Sequence, residues 1–207
     1  MNGFLLIFED RIKDFWEKYT EAEMQELFAD ILTYANANPQ AFVKELEQVQ
    51  FDPVLQPLPI VLEALSRDSD KWGEFFVNLL NTILVKAKSS ANPQEMVDNL
   101  IEFAHIETHP KLFVKHVAKR LHQELTDDNL YTKSAAISML PNYLDNPVVV
   151  DKEDIIQELQ NKLRNPKWQI RYLAYISLKK FNLLPPDYSL SFTDKLLRMY
   201  KGRPLTY

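Results

Sequence analysis

The sequence contains no cysteine and only three glycines in 207 residues. The absence of cysteine excludes disulfide bonds, thiol nucleophiles and zinc sites built on thiolates. Tight β-hairpin turns depend heavily on glycine, so three glycines are too few for a protein made of many hairpins. An all-β fold is therefore not expected.

The sequence also lacks a long apolar run. The stretch Phe4–Phe8 is followed at once by Glu9, Asp10 and Arg11, and it is too short for the apolar core of a signal peptide. No segment approaches the roughly 20 apolar residues that span a bilayer. Apolar residues make up 46% of the chain and charged residues 26%, which is typical of a folded, water-soluble protein. We expect a cytoplasmic protein that does not bind membranes.

Common catalytic signatures are absent as well. The chain has no Gly-x-Ser-x-Gly motif, no phosphate-binding glycine loop and no His-Glu-x-x-His motif. The acidic residues are numerous, but their spacing singles out no catalytic pair. We therefore predict a protein that is not an enzyme and that uses no cofactor or metal ion.

Charge is distributed unevenly along the chain. Residues 1–110 contain 8 basic and 19 acidic residues, whereas residues 111–207 contain 16 basic and 10 acidic residues. The two parts thus carry net charges of −11 and +6, and the whole chain carries −5. An acidic half and a basic half offer different surfaces to charged partners.

Apolar residues recur at intervals of three and four along most of the chain, which is the pattern of amphipathic helices. Local signals mark helix starts: Thr20 and Glu23 match a capping box, and Ser191 with Asp194 caps a final helix. We predict ten to eleven helices and no strand, with approximate bounds at 4–19, 20–36, 39–49, 58–66, 68–88, 92–107, 109–125, 129–144, 151–163, 166–181 and 191–201.

The helices of the basic half repeat with a period of 38 residues. At this offset Leu163 aligns with Leu125, and Leu178 in the following helix aligns with Leu140. A hairpin of two helices cannot bury its apolar face alone, so repeated hairpins are expected to stack. The sequence predicts one domain over 1–207, consisting of about five hairpins and a C-terminal capping helix at 191–201. The predicted hairpins lie at 4–36, 39–66, 70–107, 110–144 and 151–182.

A period near 40, two helices per unit and a polar residue six positions before a Lys or Arg resemble HEAT repeats of the armadillo-like group. The polar and basic residues are Asp127 with Lys133 in one unit and Asn165 with Arg171 in the next. The resemblance implies an all-α superhelix, or short solenoid, in which such pairs form a structural ladder between neighbouring repeats. It is clearest over 110–144 and 151–182.

Basic and aromatic residues alternate in the last part of the chain. This combination binds phosphate groups or acidic partners, although the same aromatics also fit packing between helices. The candidate partner- or phosphate-binding residues are Lys167, Trp168, Lys179, Lys180, Arg198 and Lys201.

Three functions remain open at this point. The first is a non-enzymatic scaffold or adaptor that binds another protein on a curved helical surface. The second is a nucleic-acid-binding protein or a DNA glycosylase, since the alkylation-repeat glycosylases are built of related helical repeats. The third is an inhibitor or immunity-type protein that uses its acidic N-terminal half. The repeat and the missing catalytic motifs favour the first.

Overall fold

The computed structural model describes residues 3–49, 57–89, 91 and 111–201. Within these residues the fold is all-α, with ten α-helices and no strand. The helices are α1 Gly3–Lys18, α2 Glu21–Ala37, α3 Pro39–Val49, α4 Pro57–Ser66, α5 Ser69–Ser89, α6 Lys111–Glu124, α7 Leu130–Met139, α8 Lys152–Asn161, α9 Trp168–Lys180 and α10 Phe192–Lys201. Single 3-10 turns, Leu140–Tyr143 and Lys162–Arg164, follow α7 and α8.

The all-α prediction is confirmed. The predicted helix at 92–107 lies outside the described residues. At the start of α2, Thr20 Oγ1 accepts from the backbone N–H of Glu23, and the Glu23 carboxylate accepts from the backbone N–H of Thr20. This is the capping box that the sequence predicted, and the Thr20 bonds lower the pKa of Glu23.

The described residues fall into two compact units that divide within α5, after Phe76. The first contains 3–49 and 57–76, and the second contains 77–89, 91 and 111–201. That residues 1–207 form a single domain stays a prediction.

Aromatic side chains fill the core of the first unit. The ring of Phe42 in α3 lies 5.7 Å from that of Phe4 in α1 and 5.7 Å from that of Trp72 in α5. The α4 helix packs against α2 and is apolar around most of its circumference. A helix of that kind is stable only when it is enclosed, and its buried residues include Leu58, Ile60, Val61, Leu62 and Leu65.

Glu45 of α3 caps the first turn of α1. Its Oε2 accepts a 3.0 Å hydrogen bond from the backbone N–H of Phe4 and a 2.8 Å bond from the Tyr34 hydroxyl. A carboxylate at a helix N-terminus is favoured by the helix dipole. Burial and the bond to Glu45 raise the pKa of Tyr34. Gly3 suits this crowded corner because a Cβ there would lie 2.7 Å from Tyr34 Oη.

The second unit is built around α7, which packs against α6 and against α9. Both α8 and α10 also pack against α9. The α7 helix therefore contacts its own hairpin partner and the second helix of the following hairpin. Its most enclosed side chains are Thr132, Ser134, Ala135, Ala136, Ile137 and Met139.

The α7 helix ends at Met139, five residues before the predicted end. Pro141 has no N–H group, so the Ile137 carbonyl has no helical donor four residues later. The Ser177 hydroxyl of α9 donates to this carbonyl at 2.7 Å in a buried position. A side chain 40 residues away thus satisfies the backbone group that the proline leaves open.

Replacing Ser177 with alanine is expected to lower the free energy of unfolding by about 1–2 kcal/mol, because the buried Ile137 carbonyl loses its donor. Urea denaturation followed by circular dichroism measures this loss. Ser138→Ala is the matched control, since Ser138 Oγ is buried and has no hydrogen-bond partner among the described residues. Equal losses in the two variants would contradict the role given to Ser177.

Candidate partner-binding surface

Arg171 connects α9 to α10. Its Nε and Nη2 atoms donate to the two carboxylate oxygens of Asp194 at 3.0 and 2.5 Å. Its Nη1 atom donates to the backbone carbonyls of Asn165 and Pro166 at 2.7 and 2.9 Å. The planar guanidinium suits such a two-pronged contact, and it holds the first turn of α10 beside the segment that precedes α9.

The same contacts move the start of α9. The prediction placed it at Pro166, but the helix begins at Trp168. Asn165 Oδ1 accepts from the backbone N–H of Lys167 at 3.0 Å, which makes a local turn. The carbonyls of Asn165 and Pro166 are directed at Arg171, so they do not enter the helical hydrogen-bond ladder.

Asp194 is buried, with 2% of its side chain exposed. Its backbone N–H donates to Ser191 Oγ at 3.1 Å, which confirms the predicted cap of the last helix. The hydrogen bond from Arg171 lowers the pKa of Asp194, although burial acts in the opposite direction. The side chain is therefore ionised at neutral pH, and its charge is compensated by Arg171.

The other predicted ladder residues, Asp127 and Lys133, have a different arrangement. Asp127 Oδ2 lies 2.6 Å from Lys88 Nζ in α5, and Oδ1 accepts from the backbone N–H of Asn129 at 2.8 Å. The bond from Lys88, followed by the Asn129 bond and the nearby charges, lowers the pKa of Asp127. Lys133 is one of those charges, whereas Lys88 is the direct partner. A regular ladder between repeats stays a prediction.

The α10 helix exposes large apolar side chains and buries its acidic one. Its only acidic residue, Asp194, faces inward, while Phe192, Met199 and Tyr200 are 75%, 79% and 86% exposed. Positions 192, 196 and 199 lie on one side of a helix, and position 200 lies beside position 196. We call the surface formed by Phe192, Leu196, Met199 and Tyr200 the α10 face. Leu196 is half-buried, so the face is continuous with the packed part of the helix.

The structure separates the candidate binding residues into groups. Lys167 and Trp168 lie at the first turn of α9, whereas Lys179 and Lys180 lie at its last turn, about 18 Å away along the helix. The Lys179 ammonium group lies over the ring of Tyr175, and the Lys180 ammonium group lies over the ring of Phe181.

The remaining candidates belong to α10. The Arg198 guanidinium lies 5.3 Å above the ring of Tyr172 in α9. Lys201 is the last residue of α10. Lys167 thus lies before α9, Lys179 and Lys180 lie at its end and Arg198 lies on α10, so these candidates do not converge on one pocket.

Sequence reasoning missed three residues that form ion pairs between helices. Asp194 appeared in it only as part of a cap, Lys88 appeared only as the end of a predicted helix, and Glu124 did not appear. Lys88 contacts Glu124 and Asp127, which are 36 and 39 residues away. These separations are close to the repeat period, which is the one signal that could have pointed to them.

A shallow, open cleft of about 420 Å³ lies between the end of α8 and the chain before α10. Its wall includes Gln157, Gln160, Arg164, Asp187 and Tyr188. The Gln160 side chain donates to the Leu183 carbonyl at 2.9 Å, and the Tyr188 hydroxyl donates to the Leu163 carbonyl at 3.3 Å. These bonds tie the wall to the backbone. Arg164 and Asp187 are the only charged residues in the wall of this cleft, and one cation and one anion do not by themselves mark a substrate site.

Two features are absent from the described part of the chain. Its acidic and histidine side chains form no group of three or more that could hold a metal ion. None of its helices combines the length and the apolar character that crossing a membrane requires.

Comparison with known proteins identifies no relative. No protein-family model matches the chain, and no curated protein or solved structure matches it significantly.

Proposed function

We propose that this chain is a non-enzymatic protein-binding scaffold and that the α10 face is its contact surface. One observation carries the proposal: α10 turns its acidic residue inward and leaves three large apolar side chains in water. Contiguous exposed apolar side chains with a polar border are typical of interaction sites.

The anchoring of α10 supports this proposal. Two bonds from Arg171 hold Asp194, and Leu190 is buried just before the helix. The α10 face therefore lies on a helix that an ion pair and a buried leucine attach to the rest of the unit. Preorganisation of this kind reduces the entropy that a complex loses on formation.

The energetics place limits on the complex. Covering the side chains of Phe192, Met199 and Tyr200 contributes about 4–7 kcal/mol. The loss of translational and rotational freedom costs roughly 4–15 kcal/mol. The apolar contact alone supports only a weak complex, so a partner must also use the charged groups around the α10 face.

We also propose that the repeats are HEAT-like, as the 38-residue period indicates. In the first unit, α1 packs against α3 and α2 packs against α4. In the second unit, α7 packs against α9. Contacts between corresponding helices of successive hairpins are what stacked repeats require, and they support the assignment within each unit.

The function is tested by replacing Phe192, Met199 and Tyr200 together with serine. Proteins captured from native extract by the wild-type chain are identified, purified and titrated against both chains by calorimetry. We expect the affinity of a direct partner to fall at least about 10-fold, since several buried apolar side chains are lost. Val150→Ser is the control, because Val150 is an exposed apolar residue outside α10. Equal binding by the wild type and the triple variant would contradict the proposal.

A further inference from the structure

The last part of the described chain is rich in basic residues. Residues 162–201 contain nine basic and two acidic residues, and of the basic residues Lys162 is paired with Glu158. One of the two acidic residues, Asp194, is buried and paired with Arg171. The outward side of α10 therefore carries positive charge without compensating negative charge of its own.

One basic residue, Lys195, borders the apolar residues directly, and a second, Arg198, lies next to Lys195 on the side towards α9. Lys195 is three positions after Phe192 and four before Met199, so it lies next to both on the helix surface. Arg198 lies three positions after Lys195, and it rests on the ring of Tyr172. Both are exposed. An apolar strip with a basic edge is complementary to a strip with acidic edges.

We propose that the α10 face receives an acidic amphipathic helix from a partner protein. The apolar stripe of that helix covers Phe192, Met199 and Tyr200, and its carboxylates pair with Lys195 and Arg198. This inference rests on the proposed scaffold function and adds the chemistry of the partner. Phe192, Leu196 and Met199 have the i, i+4 and i+7 spacing of an apolar helix stripe, which can pack against the matching stripe of a second helix.

Other occupants fit the charges less well. A second α10 face would bring Lys195 and Arg198 against their own copies, and like charges oppose association. Nucleic acid would pair with the basic residues, but it would leave most of the apolar strip uncovered. An anionic bilayer extends beyond α10 and would repel a chain whose net charge is −5. A single helix, about 10 Å wide, meets only the local positive charge.

The probe is a synthetic, fluorescently labelled peptide of about 16 residues, long enough for four helical turns. It carries leucine at helical spacing and glutamate at the other positions, and a matched peptide carries lysine in place of glutamate. We expect the wild-type chain to raise the anisotropy of the glutamate peptide and to leave the lysine peptide unaffected. Binding should weaken several-fold between about 50 and 500 mM salt, because the edge contacts are exposed ion pairs.

Charge reversal shows whether Lys195 and Arg198 bind the peptide specifically or only add to a general positive charge. Lys195→Glu with Arg198→Glu should weaken binding of the glutamate peptide at least about 10-fold. Lys179→Glu with Lys180→Glu makes the same change in net charge at the far end of α9, and it should change binding less than about 3-fold. Equal effects of the two double variants would overturn the proposal, because the attraction would then be general.

Three further outcomes would overturn it in favour of another occupant. In the first, the chain binds vesicles of phosphatidylcholine and phosphatidylserine but not the glutamate peptide. In the second, it binds duplex DNA but not the peptide. In the third, it self-associates, and the triple serine variant abolishes this self-association. Binding of a native partner that responds to the triple serine variant but not to Lys195→Glu with Arg198→Glu would overturn the acidic helix alone. If the affinity of that partner were unchanged in both variants, the scaffold function of α10 would be overturned as well.

Discussion

Replacing both Lys88 and Arg120 with alanine is expected to lower the free energy of unfolding by about 3–5 kcal/mol. The two cations compensate Glu124, whose side chain is only 1% exposed. Lys88 Nζ lies 3.0 Å from the Glu124 carboxylate, and Arg120 Nη1 lies 2.6 Å from it. Without them a buried carboxylate remains unpaired, and that is among the costliest changes in a protein interior.

The position of Glu124 in its helix makes the two cations more important for stability. It is the last residue of α6, where the helix dipole disfavours a negative charge. Each single alanine variant should cost less than half of the double variant, because the remaining cation still faces the carboxylate. Chemical denaturation of the wild type, the two single variants and the double variant gives the coupling energy between Lys88 and Arg120.

A rescue variant makes the explanation specific. Adding Glu124→Leu to the double variant removes the buried charge and should restore most of the lost stability. Lys152→Ala is the control for loss of an ordinary surface ion pair, because its partner Asp145 is 96% exposed. That control should change stability by no more than about 0.5 kcal/mol. If Glu124→Leu gave no recovery, the loss would have to come from packing of the Lys88 and Arg120 stems.

Replacing Arg171 with alanine should lower the free energy of unfolding by about 2–3 kcal/mol. This is the lower part of the range for a broken buried pair, because the Arg171 side chain keeps 23% of its surface in water. The variant leaves Asp194 unpaired and the carbonyls of Asn165 and Pro166 without their donor. Arg171→Lys should recover only part of the loss, since an ammonium group cannot reproduce the planar contact.

Arg164→Ala is the matched control for Arg171, because Arg164 is an exposed arginine in the same unit. Thermal unfolding of both variants measures the difference. A change in the Arg164 variant as large as that in the Arg171 variant would show that general charge balance, and not the contact to Asp194, is responsible.

The pair of Arg171 and Asp194 also predicts a dependence on pH. The pKa of Asp194 is lower in the folded chain than its usual value, which is about 3.9 in an unfolded chain. The stabilisation is therefore fully present above about pH 4 and disappears as the pH falls through the folded pKa. The stability difference between the wild type and Arg171→Ala should shrink between about pH 5 and pH 2. A difference that is constant over this range would contradict the assignment.

Prediction from sequence succeeded where the cause was local. The capping box at Thr20 and the cap at Ser191 depend on atoms within three residues, so the pattern and the geometry coincide. Prediction was less accurate at the end of α7 and the start of α9. There, backbone carbonyls are bonded by Ser177 and Arg171, and such side-chain bonds are not visible in helical periodicity.

The candidate site was predicted only in part. The sequence indicated that basic and aromatic residues accumulate near the C-terminus, but it grouped residues from both ends of α9. Asp194 was not recognised as the partner of Arg171, because the two lie 23 residues apart on different helices. The HEAT-like repeat and the binding function stay predictions.

The sequence by itself determined that the described chain folds into helices, since periodicity, prolines and caps act over a few residues. It also determined where α10 begins, through the cap at Ser191. Only the tertiary structure decided which side of α10 faces water. An amphipathic helix ordinarily buries its apolar side, but here Arg171 holds Asp194 inward, so Phe192, Met199 and Tyr200 are left facing solvent. The physical reason is a buried ion pair between two helices, and no pattern within either helix contains it.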